Sequence, residues 1–337
     1  MKKLTLVFIL AIATGLAACN PSGEFSSSLS LIPPLEDVII IEDISMPSDV
    51  FGPADIIPDS VGEITVTDAI ADVTVLPRYS YVVVIADTHI KTPDGLPVAN
   101  ATKIGQEIEK MPWPIEAVFV LGDVCYLLPY TTFQEFMDDP NDRFDIAQEI
   151  FENYPVPVYP LIGNHDIDNG PIPLVELGEQ LFKHHFGVDP YYAVDVGRWR
   201  FLAMSNFKGP THIVGDPGYD YDSGSLGTEQ LEWMEEQLQG GRPTVLMSHF
   251  PPYIIKDLPQ FMRAHKDQVR LMLAGHSHAW MNLSDNFGVP SMVVGTSQWD
   301  ADCMMIIELD NELGTWRMLN WDKVHWGSGY SFPWDQE

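Results

Sequence analysis

The sequence predicts a layered α/β domain built on mixed β-sheet, and three observations carry that reading. Apolar runs of strand length recur from Tyr81 onward, at residues 81–86, 117–121, 156–162, 201–204, 244–247 and 271–274. They are continuous rather than alternating, as strands buried on both faces require. Stretches with helical spacing lie between them, so helices are expected to cover the sheets.

Taken in chain order, residues 1–18 read as a signal peptide. Lys2 and Lys3 form a basic start and residues 4–16 an apolar stretch too short for a comfortable membrane span. Leu16-Ala17-Ala18-Cys19 resembles the bacterial lipobox, which implies cleavage before Cys19 and a lipid anchor on its thiol. Ordinary cleavage near Ala17 or Ala18 is the alternative. Asn20, in place of the Asp that resembles a retention signal, leans toward the outer membrane. The expected location is therefore the bacterial cell envelope, lipid-anchored at the outer membrane or on a periplasmic or extracellular face.

Residues 19–30 form a polar tether. Residues 31–79 are acidic and proline-containing, with ten acids and no Lys or Arg between 31 and 77. Prolines at 33, 34, 47, 53, 58 and 77 argue against a long helix. An extended segment lying on the domain and a solvated stalk both fit, and the stalk is the working expectation. Residues 80–325 form the main domain and 326–337 a tail.

Within the domain, Ile104, Ile108 and Met111 share a helical face. A second helix is expected from Thr228, with that residue as its cap and Gly240-Gly241 as its stop. Runs at 291–294, 304–309 and 315–320 read as closing antiparallel strands.

Composition removes several functional classes. The chain has 337 residues, 18 Lys plus Arg against 48 Asp plus Glu, and a formal charge of -30. Binding to phosphate backbones needs basic side chains, so broad nucleic-acid binding is not expected. Electrostatic adhesion to anionic lipid is disfavoured for the same reason. A hydrophobic content of 45% with 9 Trp is enough for a packed core. Besides Cys19 only Cys125 and Cys303 remain, and a disulfide or two buried thiols fit equally.

The chemistry lies at the ends of the strands. Five apolar runs lead at once into Asp87-Thr88-His89, Gly122-Asp123, Gly163-Asn164-His165-Asp166, Ser248-His249 and Gly275-His276-Ser277-His278. The carboxyl ends of strands in open α/β sheets are where ligands bind. Imidazoles with carboxylates suit Zn, Mn, Fe or Co, and a lone carboxylate such as Asp123 is able to bridge two ions. Two metals a few ångströms apart serve displacement at phosphorus.

These five segments, in this order, resemble the calcineurin-like metallophosphoesterase superfamily, and the likeness covers roughly residues 81–322, about 70% of the chain. Tyr191-Tyr192-Ala193-Val194-Asp195, together with the Phe201 strand and the Thr228 helix, resembles the middle of its cyclic-nucleotide phosphodiesterase and acid-phosphatase branches. The resemblance implies a four-layer αββα sandwich with mixed β-sheets. It implies two divalent or trivalent ions, Mn, Fe, Zn or Co. Asp87, His89 and His278 would hold one, Asn164, His249 and His276 the other, and Asp123 both. A bridging hydroxide would be the nucleophile. His165 would act near the leaving group, with Asp166 orienting its ring.

The pattern departs from the family at Gly122-Asp123-Val124-Cys125-Tyr126. A Tyr here resembles purple acid phosphatases, but His89 is not part of their pattern, so Tyr126 is expected as a pocket wall or supporting donor. Residues 183–186 (Lys-His-His-Phe) read as a solvated helix end, and His212, His265 and His325 as surface or packing residues. The stretch from Trp299 to Asp302 lies beyond the last motif, where a loop could close over the site, but closure is not the working expectation. No Lys or Arg is read beside the motifs, which favours a phosphodiester over a phosphomonoester as the small-molecule substrate. A non-catalytic envelope binding protein is the remaining alternative.

Overall fold

Continuous apolar runs become strands in a computed structural model that describes residues 76–170, 172–284 and 287–334. The signal peptide, Cys19, the tether, nearly all of the acidic segment and the last three residues lie outside the described residues. In chain order the elements are β1 (Tyr79–Ile85), α1 (Leu96–Ile108), β2 (Ile115–Val120), α2 (Phe133–Met137), α3 (Arg143–Glu152), β3 (Val158–Pro160), α4 (Val175–Phe186), β4 (Tyr192–Val196), β5 (Trp199–Ala203), α5 (Gly227–Gln237), β6 (Thr244–Ser248), α6 (Leu258–Ala264), β7 (Val269–Ala274), β8 (Met281–Asn282), β9 (Ser291–Val293), β10 (Met305–Asp310) and β11 (Trp316–Met318).

The strands form two sheets, ordered β11-β10-β1-β2-β3 and β4-β5-β6-β7-β9-β8. In the first, β1 runs parallel to β2 and antiparallel to β10, and β3 runs parallel to β2. In the second, β5, β6, β7 and β9 are parallel, with antiparallel edges at β4 and β8. Both sheets are therefore mixed.

Side-chain alternation divides the core in two. Val82 and Val84 of β1 join Phe119, Phe201, Val245 and Met247 in the layer between the sheets. Val83 and Ile85 point the other way, into a cluster with Ile104, Ile108, Phe144 and Leu181 from the helices. Phe119 and Phe201 stack across the two sheets with centroids 4.5 Å apart. Helices cover the outer faces, giving four layers, αββα. Such strands show no polar face because neither face meets water.

The structure corrects several expectations. The run at 156–162 yields a strand only from Val158 to Pro160. The run at 291–294 is not simply antiparallel: β9 pairs parallel with β7 and antiparallel only with β8. Thr228 does not cap α5. The helix starts at Gly227, and the Asp257 carboxylate accepts from the amides of Leu226 and Gly227 at 3.0 Å. A cap supplied from about thirty residues away has no local signal. His185 is not solvated but buried, its ring stacked on Phe144. Cys125 and Cys303 are buried free thiols. Among the described residues, no helix is long and apolar enough to cross a membrane.

Candidate functional site

The strands that end near one another are β1, β2 and β3 of one sheet and β6 and β7 of the other. Their carboxyl ends deliver Asp87 and His89, Asp123, Asn164 and His165, His249, and His276 and His278 to one place. The backbone there is unusual. Asp87, His89, Asp123, His276 and His278 all have positive φ, between 47° and 67°. Non-glycine residues seldom adopt this region, and each such residue costs on the order of 1–3 kcal/mol. The surrounding backbone holds them there: the amide of Asp87 donates to Gly122 O at 3.1 Å and that of His89 to Asp123 O at 2.9 Å. From the loop after β9, Thr296 Oγ1 donates to Asp87 O and Ser297 Oγ to Ala86 O, both at 2.9 Å.

One group of ligand atoms comprises Asp87, His89, Asp123 and His278, mutually within 4.8 Å. His89 Nε2 lies 2.9 Å from His278 Nε2 and 3.5 Å from Asp123 Oδ2, and His278 Nε2 lies 3.4 Å from Asp87 Oδ1. A second group forms around Asn164 Oδ1, which is 2.9 Å from both His249 Nε2 and His276 Nδ1. Asp123 joins the two groups. Its Oδ2 faces His89, while its Oδ1 is 3.3 Å from His249 Nε2.

Metal ions fit this donor set. His249 Nδ1 lies 2.8 Å from Leu121 O, so Nδ1 carries the proton. In the neutral ring the Nε2 lone pair then faces Asn164 Oδ1 and Asp123 Oδ1, three acceptors together. A proton or a cation has to sit among them. Burial opposes charge on His249, but the Asp123 carboxylate outweighs it and raises the ring to about 9. Asp123 is held well below the usual carboxylate range, because His249 overcomes the effect of its burial. Burial lowers His89 and His276 to about 4, which keeps both neutral and able to ligate.

The motif glycines have a steric reason. A Cβ at Gly163 would lie 2.1 Å from the Asp123 amide nitrogen and 2.2 Å from its Oδ1. A Cβ at Gly122 would lie 2.6 Å from His249 Nδ1, and its φ is +84°. Both give way so that carboxylate and imidazole approach the backbone.

His165 sits at the edge of this pocket. Its amide donates to Asp123 Oδ1 at 2.8 Å, its Nδ1 is buried without a hydrogen-bond partner, and its ring stacks on Tyr126 with centroids 5.3 Å apart. Tyr126 thus forms a wall. Asp166 corrects the expectation set for it. Its carboxylate does not orient the His165 ring; it accepts the amides of Val124, Cys125 and Gly163 at 3.2, 2.8 and 2.8 Å. It pins the turn after β2 to the turn after β3, and so positions Asp123 and Asn164 together.

Further side chains surround the pocket, and one of them corrects the expectation of no basic residue beside the motifs. Lys91, two residues past His89, places Nζ 4.9 Å from the Tyr126 ring centroid, so a lysine does stand beside the motifs. Arg143 donates to the carbonyls of Tyr126 and Leu127 and holds their turn. The Gln298 amide lies 3.3 Å from His278 Nδ1. Trp299, half exposed, meets the edge of His278 at 5.3 Å. Tyr253, also half exposed, contacts Ser277 through its hydroxyl at 3.4 Å. His212 is buried against Phe207, His265 bonds Glu235, and His325 packs on Phe332. In the tail, Gly327 and Ser328 exchange backbone bonds with Trp280.

Comparison with known proteins agrees with this arrangement. Residues 80–280 match the profile of the family described as calcineurin-like phosphoesterase. A Synechococcus protein named as a probable cyclic nucleotide phosphodiesterase is 29% identical over 201 residues, 54% of this chain and 70% of that protein. The crystal structure of a dimetal phosphatase from Danio rerio superposes with a TM-score of 0.50 at 15% identity, over 68% of this chain and 92% of that one.

Proposed function

The chain belongs to the calcineurin-like phosphoesterase family and is a metal-dependent phosphoester hydrolase, and from that premise we propose that its substrate is a phosphodiester. The observation that carries the choice is the aromatic rim. Tyr126 stacks on His165 and Trp299 meets the edge of His278, two different histidines of the pocket, and both aromatic residues are partly open to solvent. A diester carries organic groups on both sides of phosphorus, and two apolar walls suit them. The likeness to a protein named as a cyclic nucleotide phosphodiesterase supports the same reading.

Asp87, His89 and His278 would hold one ion, Asn164, His249 and His276 a second, and Asp123 would reach both. Such ions activate water and offset phosphoryl charge when bound. The chain's own residues do the rest. Asp123 and Asp166 fix the spacing of the two groups. His165, whose ring lines the pocket beside Tyr126 and His89 and whose Nδ1 has no hydrogen-bond partner, is placed to transfer a proton to a departing alkoxide. Tyr126 and Trp299 confine the ester groups.

Phosphomonoester hydrolysis is the second reading, favoured by Lys91, whose charge would help bind a dianion. Rates on bis(p-nitrophenyl) phosphate and p-nitrophenyl phosphate, with Mn, Zn or Fe supplied, decide between them. A kcat/KM at least about tenfold higher on the diester, reduced in Trp299→Ala through KM, is the expected result. Preference for the monoester sinks the proposal. No turnover of either with metal bound would favour a binding protein.

The proposal extends to location. The basic start, apolar stretch and lipobox-like Leu16-Ala17-Ala18-Cys19 support a lipid-anchored envelope enzyme, with the acidic segment as a solvated spacer. Cys19→Ser should move the protein from the detergent phase to the aqueous phase on partitioning. An unchanged distribution would count against the anchor.

A further inference from the structure

Metal-binding side chains converge at a second place that shares no residue with the strand-end pocket. Asp142, Asp145 and His185 each offer one ligand atom within 4.8 Å of the others. Asp142 caps α3 and Asp145 lies in its first turn. With Gln148 they are spaced by three residues, so all lie along one side of the helix. His185, from the last turn of α4, faces them. Its Nδ1 is 3.5 Å from Asp145 Oδ1 and 3.2 Å from Gln148 Oε1. Stacking on Phe144 at 23° fixes the ring.

One buried oxygen here has no protein partner. Asp142 is 3% exposed; its Oδ1 accepts the amides of Phe144 and Asp145 at 2.6 and 3.1 Å, while Oδ2 is buried with nothing bound to it. His185 is 6% exposed; Nδ1 is its nitrogen on the site side, and the unpartnered Nε2 lies on the far side of the ring. A buried carboxylate oxygen without a partner is costly, and a bound ion is among the few things that resolve it. The Asp145 side chain is 39% exposed, which leaves one side open for entry and for water to complete the coordination.

The geometry points to a third metal site, in which Asp142, Asp145 and His185, with Gln148 Oε1 as a fourth donor, bind a divalent ion between α3 and α4. Carboxylate and amide oxygens with one imidazole suit Mn(II) or Zn(II). The ion ties two helices together and serves stability, not turnover.

The test is Mn(II) titration of the full chain, with bound ion counted by loss of the free-ion EPR signal. Asp142→Asn and His185→Gln should each bind one ion fewer than the wild type, with kcat on bis(p-nitrophenyl) phosphate within about twofold. Asn caps helices as well as Asp does, so Asp142→Asn removes the charge without removing the cap. Asp123→Asn serves to separate the sites: it should lose pocket ions and keep this one. The same stoichiometry in the wild type, Asp142→Asn and His185→Gln would overturn the site.

Discussion

Replacing Gly163 by Ala tests the central geometry with one methyl group. The new Cβ would lie 2.1 Å from the Asp123 amide nitrogen and 2.2 Å from its Oδ1. Ordinary contact begins near 3.4 Å, so the two strand-end turns must separate by about 1.3 Å. The neighbour is partly backbone, and Asp123 is itself held by the His165 amide at 2.8 Å, so it cannot simply swing away. A misplacement of about 1 Å at a reacting centre costs on the order of 100-fold. The variant should therefore lose at least about 100-fold in kcat/KM, or about 2.7 kcal/mol of transition-state stabilisation. The assay is hydrolysis of bis(p-nitrophenyl) phosphate with bound metal counted by elemental analysis, and a thermal melt confirms folding. Gly187→Asn is the control. That glycine ends α4 at φ 70° with no neighbour within 4 Å, and Asn tolerates this conformation. Activity within about threefold of wild type at full metal occupancy would refute the steric argument.

Other perturbations separate chemistry from architecture. His165→Ala should keep both pocket ions and lose about 10²–10⁴-fold in kcat; loss of metal instead would make His165 a ligand. Burial lowers His212 to about 4 from an ordinary 6.5, so the unfolded chain takes up its proton first as pH falls. The His212 contribution is complete above pH 6.5 and lost on acidification, about 2.5 kcal/mol by pH 4.5. Urea denaturation of His212→Phe should accordingly show a shallower acid loss than the wild type; parallel curves would contradict this. Phe119→Ala, which empties the stack between the sheets, should cost about 3–5 kcal/mol. A change under about 1 kcal/mol in denaturant midpoint analysis would mean the layer closes around the gap.

Residue order was enough to specify the strands of the inner layers and the chemistry at their ends. Burial on both faces demands continuous apolar runs such as residues 82–85, and metal ligation draws on few side-chain types. Asp87, Asp123 and the five histidines therefore stand out against a composition otherwise dominated by solvation. Even the motif glycines are legible, although their reason is steric and only the fold displays it: Gly163 is small because Asp123, forty residues away, occupies its Cβ position. The features that needed the folded chain are non-local. The turns of five ligands adopt a left-handed backbone that no residue type there announces, because neighbouring strands hold them in it. Asp166 fastens two turns instead of orienting His165, Asp257 caps a helix far along the chain, and Lys91 and Arg143 reach Tyr126 from separate elements. These pairings depend on how two sheets pack, and a one-dimensional pattern holds no record of which strand ends will meet.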